Sequence, residues 1–202
     1  MKRYKLHIET PGARIETLIE EPEGELRGLS LVAHPHPLHG GTLDNKVAHT
    51  LARAALARGH VAVRSNFRGV GESTGQHDHG LAETDDLLAV AEHVAPQFGH
   101  LPWTLLGFSF GCYVQQRVAQ RLDARQLIMV GPAVSMYDFD PPAIPTAIVH
   151  GAEDELIPLA AVRDYASRHA IPLQVIPEAG HFFHGKLVEL RGIVENLLET
   201  ES

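Results

Sequence analysis

From residue 29 onward, short apolar runs of strand length alternate with segments of helical period, and this alternation limits the fold more than any other feature of the chain. The first run, Leu29-Ser30-Leu31-Val32-Ala33, is apolar at nearly every position, as a strand covered on both faces must be. Residues 43–58 follow with helical period and stop at Gly59. Further strands are predicted over 60–65, 102–106, 126–130, 146–149 and 173–176, and helices over 81–94, 109–122, 158–169 and 182–198. Ahead of them, residues 5–9 and 14–20 alternate polar and apolar around Pro11-Gly12, which predicts an antiparallel edge pair. The sum is an α/β fold: a mostly parallel twisted sheet of about eight strands with helices on both faces, whose sites form at the carboxyl ends of the strands. A length of 202 residues fits one domain over 1–202, and no repeat, low-complexity segment or linker divides it.

Composition removes several function classes. The chain carries 25 acidic against 17 basic residues, with a net charge of −8 and no basic run, so a nucleic-acid partner is not expected; phosphate binding needs clustered Lys and Arg. Cys112 is the sole cysteine, so no intrachain disulfide can form, which suits a reducing cytoplasm. The N-terminal Met1-Lys2-Arg3-Tyr4-Lys5 is basic but has no apolar stretch behind it, and no signal peptide is expected. No segment approaches the ~20 apolar residues that span a bilayer, so no membrane partner is expected.

The segment Leu105-Leu106-Gly107-Phe108-Ser109-Phe110-Gly111-Cys112 carries the chemistry. It is G-x-S-x-G between an apolar strand and a helix. A sharp strand-to-helix turn lifts the serine above the sheet, and only very small residues two before and two after it avoid the neighbouring strand and helix. The helix N-terminus then directs free N–H groups and its positive dipole end at the reaction centre. A serine hydroxyl is a poor nucleophile at neutral pH, so it needs a base, and the base needs an orienting carboxylate. Downstream, in Val149-His150-Gly151-Ala152-Glu153-Asp154-Glu155-Leu156-Ile157-Pro158, a strand ends and Asp154 sits in the loop before a helix. In Pro177-Glu178-Ala179-Gly180-His181-Phe182, His181 follows the last strand. Ser109, Asp154 and His181 therefore all fall at strand carboxyl ends, in the order serine, acid, histidine. Glu153, Glu155, Asp138 and Asp140 are rival acids, and His184 is a rival base placed one turn into the final helix.

Over nearly its whole length the chain resembles the α/β-hydrolase superfamily. Gly151-x-x-Asp154-x-x-Ile157-Pro158 is similar to the superfamily's acid motif, Gly180-His181-Phe182 to its histidine motif, and Arg68-Gly69-Val70-Gly71-Glu72-Ser73 to its "RGxGxS" loop. Within it, the chain is similar to the small, lid-less serine esterases related to dienelactone hydrolase, marked here by His34-Pro35-His36-Pro37, Gly40-Gly41, Asn45-Lys46 and the His181-Phe182-Phe183-His184-Gly185 ending. Dienelactone hydrolase itself uses a cysteine nucleophile; here the elbow residue is serine, and Cys112 reads as a small buried residue. The resemblance implies a Ser109–His181–Asp154 triad and an oxyanion hole formed by two backbone amides. One is that of Phe110, the residue after the nucleophile. The other is that of His36, with Leu38 second, since Pro35 and Pro37 have no N–H.

Fourteen histidines invite a metal reading, above all His34, His36 and His39. No carboxylate or cysteine joins them at recognised spacing, so no metal and no cofactor are expected, and they read as loop-wall residues. Gly69-Val70-Gly71 lacks dinucleotide spacing and reads as turn glycines, with Arg68 as a structural ion-pair residue. Lids in this fold are commonly inserted after the strand that ends near Val130. Here only 131–145 bridge to the next strand, and Pro132, Pro141, Pro142 and Pro145 stiffen them, so no lid domain is expected. The expectation is an open cleft walled by 34–41, 69–80 and 132–145, a small or short-acyl ester as the small-molecule partner, and no preference in the sequence between monomer and homodimer; a thioesterase or peptidase of the same fold, or a non-catalytic ligand-binding protein built on it, are the alternatives.

Overall fold

The computed structural model describes residues 2–199. The two N-terminal strands β1 (Lys2–Thr10) and β2 (Ala13–Glu21) pair antiparallel, closing with Thr10 opposite Ala13. Six further strands follow: β3 (Gly28–Ala33), β4 (His60–Ser65), β5 (Trp103–Phe108), β6 (Ala124–Val130), β7 (Thr146–Gly151) and β8 (Leu173–Ile176). They form one eight-stranded sheet in the order β1-β2-β4-β3-β5-β6-β7-β8. β2 meets β4 antiparallel, and every pair from β4 to β8 is parallel. The helices are α1 (Lys46–Ala57), α2 (Leu81–Val94), α3 (Phe110–Val118), α4 (Leu159–Arg168) and α5 (Leu187–Glu199).

Strand residues alternate between two cores, because successive side chains leave a strand on opposite faces. Val32, Leu106, Ile128 and Val149 pack with Leu51 and Ala55 of α1 and Leu190 and Val194 of α5. Their neighbours Leu31, Leu105, Leu127 and Ile148 pack with Leu87 and Val90 of α2, Val114 of α3 and Val162 of α4. Both faces of the sheet are thus covered. The chain passes from β3 to β4 on one side and then crosses to β5 on the other side of β3. The loops leaving β3 and β5 therefore diverge side by side, which is where such sheets open a binding crevice.

Three helix boundaries differ from the sequence reading by three residues or more. α1 begins at Lys46, not at 43, because Asn45 caps it: its side-chain oxygen accepts the N–H groups of Val47 and Ala48. α3 ends at Val118, short of 122, where the N–H groups of Arg121 and Leu122 both fold back on the Val118 carbonyl. α5 begins at Leu187, not at 182. Phe183, with φ of 52°, and Gly185, with φ of 73°, cannot continue a right-handed helix, so His184 lies in an exposed turn before α5 rather than inside it. Residues 131–145 contain no helix and form no lid. No helix among the described residues is long and apolar enough to cross a membrane.

Candidate active site

The elbow is built by close packing. Ser109 has φ 55° and ψ −118°, a conformation costly for a residue with a side chain. Its N–H is held by the Val130 carbonyl at 3.0 Å, at the end of the adjacent strand β6. A Cβ on Gly107 would lie 2.8 Å from the Cα of Cys112, and one on Gly111 would lie 2.3 Å from the Ala33 carbonyl oxygen. The two glycines thus let α3 press against β5 beneath it and against the end of β3 beside it. The strained serine is held because its surroundings leave it nowhere else to go.

Asp154 and His181 converge on it. His181 Nδ1 lies 2.7 Å from Asp154 Oδ2, and His181 Nε2 lies 3.0 Å from Ser109 Oγ. An ionised carboxylate only accepts, so the hydrogen sits on Nδ1 and Nε2 is free to accept the serine proton. The other carboxylate oxygen of Asp154 accepts the N–H groups of Leu156 at 2.9 Å and Ile157 at 2.7 Å. Burial alone would raise the Asp154 pKa; the His181 hydrogen bond and the Ile157 N–H outweigh it and hold the carboxyl below its usual range. Of the rival acids, Glu155 has a separate part: its carboxylate accepts the backbone N–H of His181 at 3.3 Å. The sequence reading did not assign that contact, nor the one made by His150. His150 is buried behind the acid loop, its Nε2 donates to the Ile157 carbonyl at 3.0 Å, and burial lowers its pKa, so a neutral ring backs Asp154.

The opposite wall is the loop after β3. His34 is buried; its Nδ1 donates to the Pro35 carbonyl at 2.7 Å and its Nε2 accepts the Phe67 N–H at 2.9 Å. Burial brings its pKa down to about 4, so the ring is a neutral strut between the loops after β3 and β4. Leu38 N–H donates to His36 Nδ1 at 3.2 Å, and the N–H groups of His39 and Gly41 donate to the His36 carbonyl. Among the described residues no hydrogen bond within the protein occupies the N–H of His36 or that of Phe110 at the start of α3. The His36 ring stacks on His39 at 4.4 Å and packs near His77 at 5.0 Å and Phe110 at 4.9 Å. No three His, Cys, Asp or Glu side chains among the described residues are grouped as metal ligands.

This wall is anchored far away in sequence. Asn66 Oδ1 accepts the Leu43 N–H at 2.8 Å, and its Nδ2 donates to Glu16 at 2.6 Å. Arg64, 1 % exposed, donates to the Leu43 carbonyl at 2.6 Å and pairs with Glu20 at 2.7 Å. Arg68 grips Asp86 through two nitrogens, which fits its structural reading. Glu83, fully buried, accepts the N–H groups of Asp78 and Gly80 and lies 2.8 Å from His77, shaping the 69–80 loop beside the site.

No family model matches the chain. An α/β serine hydrolase homologue from Coxiella burnetii is 39% identical, with 98% of each chain covered and a TM-score of 0.92. XC6422 from Xanthomonas campestris, described as a serine hydrolase without lid, is 36% identical over 96% of this chain and 93% of that one, with a TM-score of 0.91. The uncharacterized protein RP471 of Rickettsia prowazekii is 30% identical over 97% of this chain and 89% of its own length. With its eight-stranded sheet, its lid-less β6–β7 connection and relatives of this identity and coverage, the chain belongs to the α/β-hydrolase superfamily.

Proposed function

We propose that the chain is a serine esterase that cleaves small or short-acyl carboxylic esters through an acyl-enzyme. The observation that carries this reading is the unbroken relay from Ser109 Oγ through the His181 ring to Asp154. Ser109 Oγ attacks the ester carbonyl carbon while His181 Nε2 takes its proton. The carbonyl oxygen, now anionic, is held by the free N–H groups of His36 and Phe110. The carbon–oxygen bond to the alcohol breaks, and His181 returns the proton to the departing alkoxide. Water then attacks the acyl-serine with His181 again as base, releasing the acid and restoring Ser109. Asp154 holds the Nδ1–H tautomer and stabilises the imidazolium. The reaction runs on the chain's own groups and calls on no cofactor or metal.

The preference for short chains follows from the surroundings of the triad. The 131–145 connection is too short for a helical lid, so a long acyl chain has little to bury against. A cleft of about 830 Å³ opens at the amino ends of β5 and β6, lined by Leu101, Trp103 and Leu122, at the far end of the sheet from Ser109. Nitrophenyl acetate, butyrate, octanoate and palmitate, with matched thioesters, test the reading. Activity should peak at the short oxoesters and show no jump above the micellar threshold. Ser109→Ala should lose roughly 10⁴-fold or more in kcat and all labelling by a fluorophosphonate. A clear optimum at palmitate would refute the open cleft, and an active Ser109→Ala protein would refute the nucleophile.

A further inference from the structure

The side chain of His36 has no part in the chemistry above, which uses only its backbone N–H. Its placement gives it one. His36 precedes a single 3₁₀ turn, Pro37–His39, as its N-cap, with φ −55° and ψ 122°. The turn is tightly folded: the His36 carbonyl accepts two N–H groups, and a Cβ on Gly41 would lie 2.2 Å from the Pro35 carbonyl oxygen. Pro35 and Pro37 fix φ on both sides of His36 but contribute no N–H. The bond that ties the His36 side chain into this turn is the one its own Nδ1 accepts from Leu38 N–H. This is the geometry in which Asn or Asp side chains accept from the residue two positions on, with imidazole in their place.

We propose that the imidazole of His36 is a positioning group for the oxyanion hole: by accepting the Leu38 N–H at Nδ1 it fixes the turn that aims the His36 N–H at the substrate carbonyl oxygen. The same bond removes Leu38 as a competing donor. The role requires a neutral ring, because a protonated Nδ1 would face the Leu38 N–H donor to donor. The surroundings supply that condition. Burial, then the rings of His39 from the same turn and His77 from the 69–80 loop, lower the His36 pKa to about 4; Glu83 of α2 opposes them, and His79 adds to them. Phe110 of α3 packs on the ring without charge. The inference rests on the esterase reading for the use of the His36 N–H, whereas the Leu38 bond stands without it.

Three variants separate the ring's acceptor from its bulk. His36→Phe keeps an aromatic ring against Phe110 and His39 but has no acceptor. His36→Asn loses the ring but offers Oδ1 to the Leu38 N–H. His36→Ala, lacking both, replaces the Phe variant if that one does not fold. With a short nitrophenyl ester, His36→Phe should lose about 10- to 100-fold in kcat with KM little changed, since a misaimed donor is felt in the transition state. Affinity for a trifluoromethyl ketone, which presents an oxyanion when Ser109 adds to it, should fall by the same factor. His36→Asn should recover most of both losses. Amide exchange at Leu38 should be slow in the wild type, fast in His36→Phe and slow again in His36→Asn. A Phe variant with wild-type kcat, an Asn variant no better than Phe, or a loss confined to KM overturns the proposal. If wild-type Ser109 takes no fluorophosphonate, the esterase reading fails instead, and Leu38 exchange still decides whether the imidazole holds the turn.

Discussion

The two walls of the site are held in different ways. On the triad wall, Ser109, Asp154 and His181 leave the ends of parallel strands, and contacts with immediate chain neighbours or adjacent strands fix each one: Gly107 and Gly111 press the elbow, and Leu156 and Ile157 hold the acid. On the proposed oxyanion wall, backbone carries the free N–H of His36, yet buried side chains from the edge hairpin keep it in place. Glu20 reaches Arg64 across 44 positions and Glu16 reaches Asn66 across 50, and both partners hold Leu43 at the foot of the loop. Ser109 is placed by local sterics, whereas the free N–H of His36 depends on the edge of the sheet.

That difference can be broken at Glu20, with the largest effect on stability. Arg64 is buried, and among the described residues it has no second full counter-ion: Asp44, its other acidic neighbour, lies 3.7 Å away and is exposed. Glu20→Ala leaves a buried guanidinium uncompensated, which costs about 3–5 kcal/mol. The loss should appear as a lowered urea midpoint and, in protein still folded, as reduced kcat with fluorophosphonate labelling of Ser109 still detectable. The double change Glu20→Leu with Arg64→Met should regain much of the stability, because a well-packed apolar pair replaces the ions. If Glu20→Ala silenced Ser109 labelling as fully as Asp154→Ala, the two walls would not be separately held.

The sequence makes this contrast visible on one side only. Each triad member sits in a short local pattern, G-x-S-x-G, G-x-x-D or G-H-F, whose residues are neighbours in the chain, so the pattern survives reading in one dimension. The oxyanion anchors do not. Glu16 and Glu20 fall on the polar side of an alternating strand and read as solvent-facing, but they are 6 % and 3 % exposed, because β4 and the 66–73 segment cover that side. Leu43 looks like the first apolar residue of a helix, and its true role as the tether of Asn66 and Arg64 depends on residues more than 20 positions away. The start of α5 was hidden for another reason: a left-handed Phe183 has no compositional signature, and only its burial in the core explains it. Helices and strands were otherwise legible because burial on two faces writes itself into period and run length.

Acid should sharpen the comparison by loosening the two walls in different windows. His34 is held at about 4 in the folded chain against an ordinary value of 6.5, so below 6.5 the unfolded chain binds a proton that the folded one refuses. Stability is therefore full above pH 6.5 and falls as the pH drops toward 4, by about 3 kcal/mol from this group. Asp154 works in a lower window. Its folded pKa is depressed, so its contribution is full above the unfolded value of 3.8 and is lost only as the pH falls below that. Urea unfolding between pH 7 and 4.5 should show a declining midpoint that His34→Gln makes shallower and Asp154→Asn does not. An equal slope in the wild type and His34→Gln would place the acid sensitivity elsewhere.

The smallest effect is expected at Cys112, beside the elbow on the triad wall. The thiol is fully buried in α3, and its Sγ donates a weak hydrogen bond to the Val130 carbonyl at 3.3 Å, the same carbonyl that holds Ser109 N–H. Burial pushes its pKa far up, so it is no thiolate at any working pH and cannot stand in for Ser109 as nucleophile. Cys112→Ala removes one buried sulfur and leaves the Val130 carbonyl with the Ser109 N–H as partner, so no acceptor is orphaned. The cost should be about 1 kcal/mol from the small cavity, read as a slight fall in melting temperature. Esterase activity should persist, and a maleimide reagent should leave both the folded wild type and its activity untouched. Loss of activity in a folded Cys112→Ala protein would mean that the sulfur helps set the strained Ser109, and that the triad wall, too, relies on a side chain to hold its backbone.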